Sequence, residues 1–431
     1  MSITFILPGA ATADGATYIG RNSHHPANEA WIVRNIEPVS NDSVSSLDCR
    51  HVTLTQVRDR NGCLLAGPWW SWGGEVGSND QGLVVAFETT LTKEHETEPG
   101  LTGYELVRLV LERSSDVSEA LDVLTWLIQK YGQGGTAEDN HENIPGDCCF
   151  VLGDHQEFWL VETAGRHWVA RKIEGPQVLG PRLVIDDRHE YSSYSLLQYA
   201  QARRIIVADS SLIDFAAAFA SGPKRAAYFR ALEKRLQDAP KLEGGAQQVL
   251  ELMDILRTRS GNHPRQGKSD DIALHARYRQ PAQTTGAMVM RLSAKRIEHF
   301  TTGAAAPDLA LFKPIGAGNL FDQALDGQDL STYSAGSYWW RHELLHRKLI
   351  ALRELDEAYF VERNALEIDM VQTILNSKAS DQPDQIGKQQ KYLLEWERGW
   401  LEKIAAQSPA PHFLRPFATY WHKLNKLAEL K

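Results

Sequence analysis

The sequence predicts a layered α+β fold, and three observations carry that reading. Short apolar or alternating runs dominate the first 90 residues, in the manner of strands. Two amphipathic helical stretches follow, and strands then return. Beyond residue 335 the pattern becomes almost continuously helical.

Taken in order, Ile3 to Leu7 reads as an apolar strand, Asp14-Gly15 as a turn and Ala16 to Gly20 as a second strand. Val52 to Val57 alternates, and Gly82 to Phe87 is an apolar run suited to a sheet covered on both faces. Gly103 to Arg113 places Leu106, Leu109 and Val110 on one stripe. The next helix starts at Ser115 or Asp116 with Glu119 set for a capping box, and stops near Gly132. Phe150 to Leu152, Phe158 to Glu162 and His167 to Ile173 are strands separated by Gly153-Asp154 and Ala164-Gly165 turns. Residues 211 to 258 look helical, with a polar break from Asp238 to Gly245. Met288 to Leu292 and Ile297 to Thr301 are strands. A linker, Pro314 to Ser337, precedes helical Arg341 to Leu375 and Lys391 to Ala406. The division expected is a domain over 1–330 and a helical region over 335–431 packed on it, serving as a structural cap or a homo-oligomer surface.

With 431 residues, 42% hydrophobic and 23% charged, the chain has the composition of an ordinary globular protein. A net charge of −9 argues against nucleic-acid partners, because phosphate attraction needs a basic surface. No apolar run reaches the ~18–20 residues that span a bilayer, so no membrane partner is expected. The opening lacks a basic residue ahead of a short apolar stretch, which argues against a signal peptide and for a cytoplasmic protein. Four cysteines are too few for a disulfide scaffold, and adjacent Cys148 and Cys149 open an apolar run as core thiols do. His342-Glu343-x-x-His346 has the spacing of a zinc-peptidase helix. No third ligand follows it except distant carboxylates, so neither a metal nor another cofactor is expected.

The position with most chemical content is Ser2. Removal of Met1 would leave a hydroxyl and a free α-amine on one residue. An α-amine titrates at about 7.7–8.0 and can serve as base to its own hydroxyl. The hairpin that follows would hold that terminus rigidly, as catalysis requires.

The opening resembles the secernins and the related bacterial dipeptidases of the peptidase-D type, within the N-terminal nucleophile (Ntn) hydrolases. The resemblance rests on Ser2 to Leu7, Ala11-Thr12-Ala13-Asp14-Gly15-Ala16 and Arg21-Asn22-Ser23. Further along it rests on Trp70 to Gly77, Glu105 to Leu109, Ala120 to Val123, Gly132 to Gly135, Phe158 to Thr163, Phe312-Lys313-Pro314 and Arg341 to Leu344. It implies a four-layer αββα sandwich and attack on a linear amide carbonyl of a small-molecule amide or peptide substrate, as in a dipeptidase, amidase or other protease-like hydrolase. It also implies that Arg21 contacts the nucleophile and a substrate carboxylate, with Asn22 beside it. Glu88 would hold a substrate amine, and Trp70 and Trp72 would wall the pocket.

Three departures stand out. Serine occupies the place of the bacterial cysteine. The secernin register instead puts Thr4 on the nucleophile, which requires loss of Met1 to Ile3. Finally, His24 stands where wider relatives have aspartate, facing the substrate side, and Phe87 and Pro181 stand near expected oxyanion asparagines. The resulting expectation is an Ntn amide hydrolase acting through Ser2. The alternatives are an acyltransferase using the same acyl-enzyme, and a catalytically inactive secernin-like interaction protein.

Overall fold

The computed structural model describes residues 2–94, 98–135, 146–207, 210–221, 229, 232–236, 244–320, 328–406 and 415–430. Two antiparallel sheets form its centre. The six-stranded sheet runs, edge to edge, Gln177–Leu179, Ile3–Leu7, Thr17–Pro26, Ala282–Ser293, Arg296–Thr301 and Lys313–Ile315. The eight-stranded sheet runs Tyr191–Ser192, His167–Lys172, Phe158–Ala164, Asp147–Gly153, Val84–Thr90, Val76–Asn79, Cys63–Pro68 and Trp31–Ile36.

Side-chain alternation builds the layers. Along Val84–Thr90, Val84 and Ala86 join Ile6, Ile19, Met288 and Met290 in the core between the sheets. Val85 and Phe87 face the other way, onto Leu106, Val110, Leu124 and Leu127 of helices Gly103–Arg113 and Val117–Tyr131. On the far side of the six-stranded sheet, Phe5 and Val289 pack against Val249, Leu252 and Met253 of helix Gly245–Leu256 and Val371 of helix Glu357–Asn376. The order is therefore helix, sheet, sheet, helix, the αββα sandwich expected. A period of two places apolar residues on both faces of each central strand, which is why these runs read as continuously hydrophobic.

The opening hairpin is central rather than peripheral. Ile3–Leu7 pairs with Thr17–Pro26 in the register Thr4 opposite Arg21 and Leu7 opposite Tyr18. The second strand extends through Pro26, six residues past the predicted Gly20. Gly20 is required here, because a Cβ would lie 2.0 Å from the Phe5 ring. Helix Gly103–Arg113 has the predicted bounds and opens with a reciprocal Thr102–Glu105 capping box. Asp116 caps the next helix, and Glu119 accepts from Ser115 N–H rather than completing a box on Asp116. The strand predicted over Val52 to Val57 shortens to Thr53–Thr55 and pairs only with Ser46–Asp48.

Toward the C-terminus the single helical stretch predicted over Arg341 to Leu375 is two helices, Tyr338–Ala351 and Glu357–Asn376. Asp356 caps the second, accepting from Ala358 N–H. Helices Gln382–Ala405 and Arg415–Leu427 complete this region. In the 211–258 stretch Phe215–Phe219 and Gly245–Leu256 are helices, and residues 229 and 232–236 are helical too; much of the predicted break lies outside the described residues. No described helix is long and apolar enough to cross a membrane.

Candidate active site

The even-numbered residues of the first strand face the space between the sheets, as does Arg21 on its neighbour. Thr4 is fully buried and Ser2 is 8% exposed. Arg21, 1% exposed, aims Nη1 at Thr4 Oγ1 (2.7 Å), Glu88 Oε1 (2.8 Å) and the Phe87 carbonyl (2.9 Å). Thr4 Oγ1 in turn donates to Glu88 Oε1 at 2.9 Å. The hydroxyl thus sits between a guanidinium that donates to it and a carboxylate that can take its proton.

A second carboxylate fixes the other end of Arg21. Nη2 meets Glu75 Oε1 at 3.0 Å, and Nε donates to Ser23 Oγ at 3.0 Å. Glu75 also receives His25 Nε2 (3.1 Å) and Trp31 Nε1 (2.9 Å), while His25 Nδ1 meets Glu29 at 2.7 Å. Arg21, Ser23 and His25 alternate along one strand, so a single face carries the whole chain of contacts.

The electrostatics divide the two carboxylates. Burial would raise Glu75, but Arg21 and His25 outweigh it and hold the group well below the usual carboxylate range. At Glu88 burial wins over Arg21, and nearby Glu75 adds repulsion, so its pKa is pushed up to about 7. Burial opposes charge on His25, yet Glu75 and Glu29 raise it to about 10. Arg21 and His25 are therefore offset by Glu75 and Glu29, leaving Glu88 able to exchange a proton near neutrality.

The remaining predicted residues are dispersed. Ser2 Oγ accepts from His24 N–H at 3.1 Å and does not meet Arg21; the contact expected at Ser2 is made at Thr4 instead. Asn22 is not beside the nucleophile, because alternation turns it to the opposite face. There its Nδ2 donates to the Leu256 and Ile272 carbonyls at 2.9 and 2.8 Å. His24 bonds Thr284 Oγ1 through Nδ1 at 3.0 Å, and its buried Nε2 has no partner among the described residues. Burial holds its pKa well below the ordinary value. Trp70 packs edge-on against Tyr104 with ring centroids 5.1 Å apart. Trp72 is 38% exposed, under the Arg108 guanidinium at 3.9 Å, so the two tryptophans line the outer helix rather than this cluster. Glu88, expected to hold a substrate amine, places Oε1 against Thr4 and Arg21. Met1 lies outside the described residues.

Sequence reasoning assigned no role to Glu75, His25, Ser23, Glu29 or Trp31. The alternation Arg21, Ser23, His25 was the available cue, masked because Arg-Asn-Ser-His-His is polar at every position. In the helical region, His342 Nδ1 meets Glu397 (2.9 Å) and His346 Nδ1 meets Glu343 (2.9 Å). Glu343 also pairs with Arg347 at 2.7 Å, so the two histidines of the zinc-peptidase spacing make separate buried contacts, His342 to Glu397 and His346 to Glu343. Among the described residues no group of three or more His, Cys, Asp or Glu could hold a metal ion. Cys148 and Cys149 are free, buried thiols.

No protein-family model matches the sequence. Among solved structures, the chain is similar to a mutant of conjugated bile acid hydrolase from Clostridium perfringens, with 14% identity and a TM-score of 0.42, covering 76% of this chain and 95% of that one. It is also similar to penicillin V acylase from Agrobacterium tumefaciens, with 15% identity and a TM-score of 0.44, covering 76% and 89%. A third is the N-acylethanolamine-hydrolyzing acid amidase ortholog of Caenorhabditis elegans, at 8% identity and a TM-score of 0.35, covering 67% and 92%. At these identities and scores the likeness carries no argument about chemistry, which rests on the geometry above.

Proposed function

We propose that this chain is an amide hydrolase of the N-terminal nucleophile type, and that Thr4 is the nucleophile its geometry is built around. One observation carries the reading: Thr4 Oγ1 lies 2.7 Å from a guanidinium donor and 2.9 Å from a carboxylate that titrates near neutrality. Such a hydroxyl has both a proton acceptor and a cation that stabilises the oxygen as it becomes nucleophilic.

Thr4 is covered while residues 2 and 3 precede it. Loss of Met1 to Ile3 would free its α-amine and open the end of the strand. Oγ1 would then attack the amide carbonyl, its proton passing to the α-amine or to ionised Glu88. The same proton is delivered to the nitrogen of the breaking C–N bond, so an amine leaves and an ester forms on Thr4. Water hydrolyses that ester and returns the hydroxyl. A dipeptide-like or small acyl-amide substrate fits this chemistry, and an amine taking the place of water would give acyl transfer.

Ser2 is the second reading. Unlike Thr4 it reaches solvent, and it needs only Met1 removed. Labelling with an activated acyl ester separates them: Thr4→Val abolishes labelling and Ser2→Ala preserves it under the first reading, with the reverse under the second. Equal labelling of both variants and wild type contradicts either nucleophile.

A further inference from the structure

Strand Ile3–Leu7, which carries Thr4, is held on one side by the ten-residue strand Thr17–Pro26 and on the other only by the three-residue edge strand Gln177–Leu179. Leu179 is the residue opposite Thr4, and the pairing stops there. So short an edge strand has few ladder bonds of its own. What fixes the chain just past Leu179 therefore decides how firmly the strand stays in place.

That fixing point lies on the other sheet. The chain beyond Leu179 runs into the space between the sheets, where Leu183 and Ile185 are buried. Glu162, on strand Phe158–Ala164, accepts from Val184 N–H at 2.6 Å and from Ile185 N–H at 2.9 Å, one on each carboxylate oxygen. The register sets Glu88 opposite Cys149 and Cys149 opposite Glu162, so the three side chains form one row on the face that meets Thr4. Within that row Cys149 Sγ lies 3.6 Å from the Glu88 carbonyl and 3.7 Å from the Gly180 carbonyl. A fully buried position is a costly one for a carboxylate, and burial raises Glu162 to about 7 against the pull of both N–H groups. An apolar side chain would avoid that cost but would leave the Val184 and Ile185 N–H groups without their acceptor.

We propose that Glu162 is a positioning residue: by clamping Val184 and Ile185 it keeps Gln177–Leu179 against Ile3–Leu7 and so holds Thr4 in place, a role that rests, for its effect on the reaction, on Thr4 being the nucleophile. Glu162→Gln in the full-length chain tests it, because the variant keeps the size and turns an amide donor toward one of the two N–H groups. Backbone hydrogen exchange should quicken about tenfold or more in residues 180 to 186 and in Ile3–Leu7, and less than about twofold in Cys63–Pro68. The maximal rate at which an activated ester acylates Thr4 should fall about tenfold, with the half-saturating ester concentration within about twofold of wild type. A general loss of stability would instead quicken exchange in every strand and leave acylation of the folded chain as it was. Unchanged exchange in Ile3–Leu7, or an unchanged maximal rate at Thr4, would overturn the proposal. A wild type that is not acylated at Thr4 sinks the hydrolase reading by itself, and exchange in Ile3–Leu7 then decides the clamp alone. Should Glu162→Gln not fold, Glu162→Asp, which keeps the carboxylate on a shorter stem, carries the same readings.

Discussion

Thr4, Arg21 and Glu88 share one buried set of hydrogen bonds. Thr4→Val keeps the shape and removes the hydroxyl, while Arg21 Nη1 keeps Glu88 Oε1 and the Phe87 carbonyl, so the cost should be about 0.5–1.5 kcal/mol, measurable by denaturant unfolding. Arg21→Met should cost more, about 3–5 kcal/mol, because Glu75 and Glu88 lose a shared counter-charge. Glu88 also predicts a pH dependence. Its folded pKa of about 7 lies above its ordinary value, so the unfolded chain gives up this proton first. Glu88 therefore favours the folded state at acidic pH, and its contribution is lost as pH rises from about 4.5 through about 7. Glu162, raised by burial to a similar value, acts in the same window. Comparing Glu88→Gln with wild type isolates Glu88: the variant should show a shallower fall in Tm from pH 5 to 8, and an equal fall would contradict the assignment. At this scale the sequence disclosed Arg21 and Glu88 only through the resemblance, and Glu75, inside the resembling stretch Trp70 to Gly77, received no role. No local pattern reports that a glutamate on one sheet will meet an arginine on the other.

At the scale of elements, legibility followed local chemistry. Helix Gly103–Arg113 was readable because its stripe and its caps agree in sequence. Strand Thr17–Pro26 was readable only as far as Gly20, because a polar inter-sheet face hides alternation. The helical break at Leu352 to Asp356 carries neither Gly nor Pro; Asp356 as a cap was the cue, outweighed by continuing leucines. The hairpin's close packing gives a sharp expectation. Gly20→Ala should destabilise by about 1–3 kcal/mol, since its methyl would displace the Phe5 ring beneath it; a change below about 0.5 kcal/mol would contradict that packing.

Over the whole molecule, the C-terminal helices are tied to the sandwich by buried ionic contacts as well as apolar ones. Glu367 takes both terminal nitrogens of Arg257, at 2.6 and 2.5 Å, and the Phe312 N–H at 2.7 Å. Glu367→Ala should therefore cost about 3–5 kcal/mol and lower the sandwich and helix signals together, observed as one shifted transition by near-ultraviolet circular dichroism and helical ellipticity. Layer order was legible from alternating blocks of strands and helices, whereas these ties join residues far apart in sequence and left no periodic trace.

The account turns on which residue the amide chemistry uses, and one measurement addresses it directly. After exposure of the untagged chain to an activated acyl ester, fragmentation of the intact protein in the mass spectrometer locates both the mature terminus and the adduct. The account predicts a chain beginning at Thr4 with the acyl group on that residue. A chain that retains Met1 to Ile3 and carries no adduct at Thr4 would contradict it.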